Sequence, residues 1–261
     1  MTSPTLLDSA LHADLRLRPN SGVRFASQHH VLPIRAEEIA KAVSNFPVFL
    51  TRNTDSGDWS FSIVTSLQIE RNLFCDSQQW HATYLPQVIE TFPFYLVNTG
   101  SDDQRAVGFD SSADAFSNSE GDALFHADGK LAPWLDALTR KLDAQLQANH
   151  QTKHFANTIE NAGLIKELSI QVLFHNDTAQ TINGLHTIDE EKLQALDAET
   201  LTEFSQRGYL SPLYAMLISV FQLNALIQRH NRLVNDDAAM DTIERIKLEL
   251  ARDAGAAGHV S

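Results

Sequence analysis

Asn72-Leu-Phe-Cys-Asp-Ser-Gln-Gln-Trp-His-Ala-Thr-Tyr-Leu-Pro-Gln-Val-Ile-Glu-Thr-Phe-Pro-Phe-Tyr-Leu96 is the stretch on which the reading of the fold turns. Proline fixes φ and removes a backbone donor, so Pro86 belongs in the first turn of a short helix and Pro93 ends it. Between them Val88, Ile89 and Phe92 fall on one helical face, and residues 94–97 then read as a strand. Asp76-Ser77 supplies turn chemistry ahead of this unit.

Upstream, residues 23–27 and 31–34 read as short strands around His29-His30, and residues 36–44 as a helix with Glu37 and Glu38 in its first turn. Residues 47–51 form a short apolar run suited to a buried strand. The turn Thr54-Asp-Ser-Gly57 joins it to a hairpin partner at residues 59–67. Residues 1–20 are polar and interrupted, a flexible arm.

Downstream, residues 106–110 read as a strand, and the Ser-, Asp- and Asn-rich residues 111–122 as a mobile loop. Trp134, Leu135, Leu138, Leu142 and Leu146 recur at helical spacing, in a helix over residues 134–149 that can run on to Asn161 before the Gly163 stop. Residues 168–174 and 180–188 pair as strands through Asn176-Asp177. Two short helices follow at 189–196 and 199–207, then the long apolar helix Leu210–Leu233 and an amphipathic helix at 240–251. The organisation is an arm (1–20), one domain (21–234), and an amphipathic helix with a disordered tail (235–261). The fold class is α+β: a single compact body, an antiparallel or mixed sheet covered by helices, with a helical C-terminal part.

Composition removes several function classes. Twenty basic against 33 acidic residues give a net charge of −13, which opposes nucleic acid and anionic membrane surfaces. A single cysteine, Cys75, allows no intrachain disulfide and no thiolate metal cluster. Residues 1–20 carry Asp8, Asp14, Arg16 and Arg18 and no long apolar run, so a cytoplasmic location is expected. Residues 209–228 lack charge and reach the ~20 residues of a membrane span. Ser211, Pro212, Ser219, Gln222 and Asn224 break that apolarity, so a buried core helix and no membrane span is expected.

The order and spacing of several small motifs carry a family resemblance. They are Phe46-Pro-Val-Phe49, Asn72-Leu-Phe74, Trp80, Tyr84-Leu-Pro86 and Phe92-Pro-Phe94. Leu124-Phe125 with Asp128-Gly129, Thr152, Phe155 and Gly163-Leu164 continue the series. Gly184-Leu185, Ile188-Asp189, Lys192-Leu193, Gly208 and Tyr214 complete it. In this the chain resembles the SapC family of bacterial proteins over roughly residues 25–233. Two departures stand out: Phe46 replaces the family's tyrosine before proline, and Glu90-Thr91 stands where basic residues are frequent.

The resemblance implies association with surface-layer protein clusters, and with neighbours that include tryptophan-halogenase-like proteins, cupin-like proteins and TonB-dependent receptors. It implies no biochemical activity. An unrelated peptide-transport permease shares the name, but a permease needs several spanning helices and none reads convincingly here.

Chemical motifs are sparse. His150-Gln-Thr-Lys-His154 puts two imidazoles on one helical face, a spacing that can hold zinc, but Gln151 stands where a metalloprotease needs its glutamate base. His126-Ala-Asp128 matches the short part of an iron facial triad, with His150, His154, His175 or His186 as third ligand. Asp128-Gly129 is equally a turn dipeptide, and His12-Ala-Asp14 repeats the pattern in the arm. No dinucleotide fingerprint, P-loop or nucleophile elbow occurs.

The expected function is that of a non-enzymatic binding or accessory protein of a cell-envelope, surface-layer or TonB-dependent uptake pathway, without a cofactor. Trp80, Tyr84, Phe92 and Phe94, with His30, would present an aromatic groove to a protein or peptide, a halogenase-like protein or a receptor-pathway component among the candidates. Homo-oligomerisation stays open. The alternative is a metal- or cofactor-dependent enzyme, or a partner of a flavin-dependent tryptophan-halogenase-like system.

Overall fold

The computed structural model describes residues 5–76, 78–99, 105–234 and 241–250. Residues 1–4 of the expected arm, Ser77 of the expected turn and the tail at 251–261 lie outside them. In chain order the first elements are β1 (Thr5–Leu6), β2 (Arg16–Leu17), α1 (Ser21–Ser27), β3 (Val31–Ile34), α2 (Ile39–Ala42), β4 (Val48–Arg52) and β5 (Trp59–Val64). Next come α3 (Gln87–Thr91), β6 (Phe94–Asn98), β7 (Arg105–Phe109), β8 (Phe116–Ser117), β9 (Asp122–Ala123) and α4 (Pro133–Asn161). The rest are β10 (Ile165–Phe174), β11 (Ala179–Ile188), α5 (Glu190–Gln194), α6 (Ala198–Gln206), α7 (Leu210–Ser219), α8 (Gln222–Leu233) and β12 (Ile243–Leu250).

A six-stranded antiparallel sheet, in the order β12-β10-β11-β4-β5-β3, carries the main core. Its two long hairpins are set locally. The Asn53 carboxamide oxygen accepts the Asp55 and Ser56 N–H groups between β4 and β5, and the left-handed Gly57 (φ 73°) completes that turn. Along β10, Leu168, Ile170, Val172 and Phe174 alternate inward, as a sheet with one covered face requires. In β4 the successive residues Val48, Phe49 and Leu50 are all fully buried, so this strand is covered on both faces. Phe155 of α4 lies against Phe61 of β5 (5.3 Å between centroids), and Leu213, Met216, Leu223 and Leu226 of α7 and α8 join the same core.

A smaller core (Phe94, Val107, Phe109, Leu124, Leu135, Leu142) is enclosed by two three-stranded sheets, β1-β7-β6 and β8-β2-β9. The 29-residue α4 serves both. Leu135 and Leu142 belong to the smaller core; Phe155, Ala156 and Ile159 belong to the larger.

Five expectations are corrected. Residues 5–17 are no loose arm: Thr5–Leu6 pairs with β7, and Arg16–Leu17 is the central strand of its sheet. Those partners lie about a hundred residues away, so local composition carries no trace of them. Residues 23–27 belong to helix α1 rather than a strand, and Gly22 lets that helix approach α3 so closely that an added Cβ would fall 1.9 Å from the Ile89 carbonyl oxygen. Within the expected loop 111–122, Phe116–Ser117 pairs with β2. The Leu210–Leu233 helix is divided at Val220-Phe221, where the backbone tightens to i→i−3 hydrogen bonds.

The fifth concerns the expected amphipathic helix at 240–251, of which residues 243–250 are instead the edge strand β12 on β10. Ile246, Leu248 and Leu250 alternate with Arg245, Lys247 and Glu249, and the free edge of β10 selects that period over the helical one. Asn231 of α8 fixes it: its carboxamide accepts the Ile243 N–H (2.8 Å) and donates to the Ile243 carbonyl (2.9 Å).

Candidate functional site

Pro86 caps α3 and Pro93 follows it, as the sequence requires; of the aromatic side chains around them Phe94 is buried and Trp80, Tyr84 and Phe92 are half-buried. Trp80 is half-buried against Phe46 and Phe74 (5.9 and 6.4 Å between centroids), with its indole N–H on the Tyr84 carbonyl (2.8 Å). The Tyr84 hydroxyl donates to the Glu38 carboxylate, which also accepts the Gln87 and Arg35 backbone N–H groups. The Arg35 guanidinium donates in turn to Gln87, Gln145 and Asn149, tying α3 to α4. Burial first, and Glu38 second, push the Tyr84 hydroxyl far above its ordinary pKa. Phe92 stacks on Phe25 at 4.1 Å. Phe94 is fully buried in the smaller core and offers no surface to a partner. His30 is half-buried, and burial, then His29, lowers its pKa.

Nor do the histidine motifs converge. Among the described residues no three His, Cys, Asp or Glu side chains stand close enough to share a metal ion. Asp128 pairs with Lys130 (3.0 Å), and Gly129 has φ 78°, so the dipeptide is a turn. The Nε2 of His154 accepts from Arg207 at 2.8 Å.

A different surface stands out. In a chain of net charge −13, residues 204–234 contain no aspartate or glutamate and carry Arg207, Arg229 and Arg232. Leu210–Leu233 is long and apolar enough to cross a membrane, yet only 28% of its most apolar window is buried. Leu213, Met216, Leu223, Leu226 and His230 point into the protein. The outward stripe is Tyr214, Ile218, Phe221, Ala225, Gln228 and Arg232, spaced four or three residues apart as a helical face demands. Ile218 is 67% and Phe221 73% exposed.

Beside the C-terminal end of that stripe, α8, residues 71–76 and His81 bound a groove of about 750 Å³, lined by Arg71, Arg229, Arg232, Asp76, Gln228 and Ser27 among others. Arg229 is held in place: its guanidinium lies 4.3 Å over the Phe74 ring and one N–H donates to the Leu73 carbonyl (3.0 Å). Partial burial, then Arg232, lowers its pKa, which stays far above neutrality for a guanidinium. Among the described residues no carboxylate pairs with Arg71, Arg229 or Arg232. Asp76, which also lines the groove, is engaged by the Gln78 and Gln79 N–H groups and by His81, which together hold its pKa below the carboxylate norm. Burial, helped by Asp76, pushes the Cys75 thiol up to about 12, so it stays protonated at neutral pH.

Sequence reading passed over this surface. The signal present in the sequence was the change from uncharged residues 209–228 to Arg229-His-Asn-Arg232 within one helix.

No curated protein and no solved structure matches the chain. The SapC family model matches residues 7–226, from just after β1 into the first part of α8. The chain belongs to the SapC family.

Proposed function

We propose that this chain is a non-enzymatic binding protein, an accessory factor of a cell-envelope, surface-layer or TonB-dependent uptake pathway, and that it docks a protein partner on the outward face of α7 and α8. The observation that carries this reading is the exposure of Ile218 and Phe221 on a helix pair free of acidic residues. Large apolar side chains grouped along one exposed face mark interaction surfaces more often than scattered ones do. Burying two of them at a partner is worth about 1.5–3 kcal/mol each. Trp80 and Tyr84, the anchors expected from sequence, are instead engaged with Phe46 and Glu38.

The test is photo-crosslinking in the native host with a photoreactive residue at position 218. A discrete protein adduct that disappears when Phe221→Asp is added, with folding unchanged, supports the reading. Adducts that survive Phe221→Asp, or that form equally from a control position on exposed Glu199, overturn it.

A further inference from the structure

The groove beside the stripe has a chemistry of its own. In a protein whose overall charge repels anions, Arg71, Arg229 and Arg232 line about 750 Å³ of space, and among the described residues none of them is paired with a carboxylate. Asp76, which also lines it, is taken up by Gln78, Gln79 and His81. An arginine spends its fork best on a carboxylate or phosphate, and Arg229 is already oriented by Phe74 and Leu73, so little order remains to be imposed on binding. Gln228 adds a neutral polar group, while the Asn72 carboxamide is committed to Ala26, His29 and Phe74, and burial keeps the Cys75 thiol protonated. The groove is continuous with the apolar stripe, since Ala225, Gln228 and Arg232 belong to both. Phe221 and Arg232 are eleven residues apart in sequence, roughly 16 Å along a helix, a span that about five residues of extended peptide cover.

We infer that the arginine groove is the binding site for an acidic peptide segment of the docked partner, in which two or more glutamate or aspartate side chains follow the apolar anchors. The inference rests on the docking reading above, and it adds the chemical class of the partner segment. Apolar anchors bind the stripe around Ile218 and Phe221; carboxylates bind Arg71, Arg229 and Arg232. The contacts are charge-assisted hydrogen bonds, and no covalent step is involved. Because the whole chain is acidic, a preference for an acidic peptide has to come from a local basic site rather than from net charge.

The experiment uses the full chain and two fluorescein-labelled twelve-residue peptides, each with a Leu-Phe pair. Five residues beyond that pair one carries three glutamates and the other three glutamines. The glutamate peptide is expected to bind at least tenfold tighter at low salt, with the advantage shrinking in 0.5 M sodium chloride. Arg232→Glu, at an exposed side chain with no partner among the described residues, removes the preference while leaving glutamine-peptide binding in place. Arg71→Gln gives a smaller loss in the same direction and guards against a folding artefact at α8. Phe221→Asp weakens both peptides alike.

Equal binding of the two peptides, no binding of either, or a preference that survives Arg232→Glu overturns the acidic-segment assignment. So does displacement of the glutamate peptide by equimolar inorganic phosphate or by phosphatidylglycerol vesicles, either of which would name a different anion. If Arg232→Glu removes the preference but Phe221→Asp changes nothing, the groove stands and the apolar docking reading fails.

Discussion

The Tyr84 hydroxyl donates a 2.6 Å hydrogen bond to the carboxylate of Glu38, a side chain only 2% exposed and 46 residues away in sequence. That bond makes Tyr84 a strut between the start of α2 and the entry to α3 rather than a ligand contact. Tyr84→Phe removes one of the donors that stabilise a buried charge, which costs about 1.5–3 kcal/mol. Urea denaturation should show the loss as a lowered midpoint with an unchanged slope, and partner binding should persist in the folded fraction.

Asp189 caps α5 through the Lys192 N–H and faces the Lys166 and Lys192 ammonium groups, each at 3.6 Å. Burial opposes its ionisation, but those three groups together hold its pKa below the usual 3.8. A carboxyl depressed in the folded state contributes stability above its unfolded pKa and loses it as the pH falls through the folded value. Thermal melts should therefore be flat in this contribution at neutral pH and decline below about pH 4. Asp189→Ala should cost about 1 kcal/mol at pH 7 and flatten part of the acid decline.

Gly22→Ala is expected to be severe for an exposed-looking helix start. The new Cβ would meet backbone, the carbonyl of Ile89, rather than a side chain able to swing away. Separating α1 from α3 costs about 1–3 kcal/mol. Gly208→Ala would meet nothing within 4 Å and differs only by its left-handed φ of 72°, so the pair separates steric from conformational cost. Melting temperatures of the two variants read the difference.

Cys75 should be a slow thiol. With its pKa raised to about 12 by burial and by Asp76, its thiolate fraction at pH 7.5 is orders of magnitude below that of an ordinary cysteine. Iodoacetamide labelling followed by mass spectrometry should leave the native chain unmodified under conditions that fully alkylate it in urea.

How much of this was legible depended on where each partner lies in the chain. The β4–β5 and β10–β11 hairpins were readable because Asn53-to-Gly57 and Asn176-Asp177 sit beside the strands they join. The helix of α4 was readable because its leucines recur over many turns. By contrast, Arg16-Leu17 pairs with residues near 116 and 122, and Ile243-to-Leu250 fits both a helical and a strand period until β10 offers an edge. The aromatic stretch turns on a related point. An aromatic-proline stretch looks alike whether its rings face solvent or Phe46 and Phe25, and only packing decides. Conversely, Phe221 reads as core until the rotation of α8 turns Leu223 and Leu226 inward and leaves it outside.

The shared helix α4 has a consequence for the integrity of the whole chain. Because one uninterrupted rod of about 43 Å roofs both hydrophobic bodies, fraying at Leu135 and at Ile159 are events on the same spring. Loosening at one end of that rod uncovers one body while the other end still lies on the second.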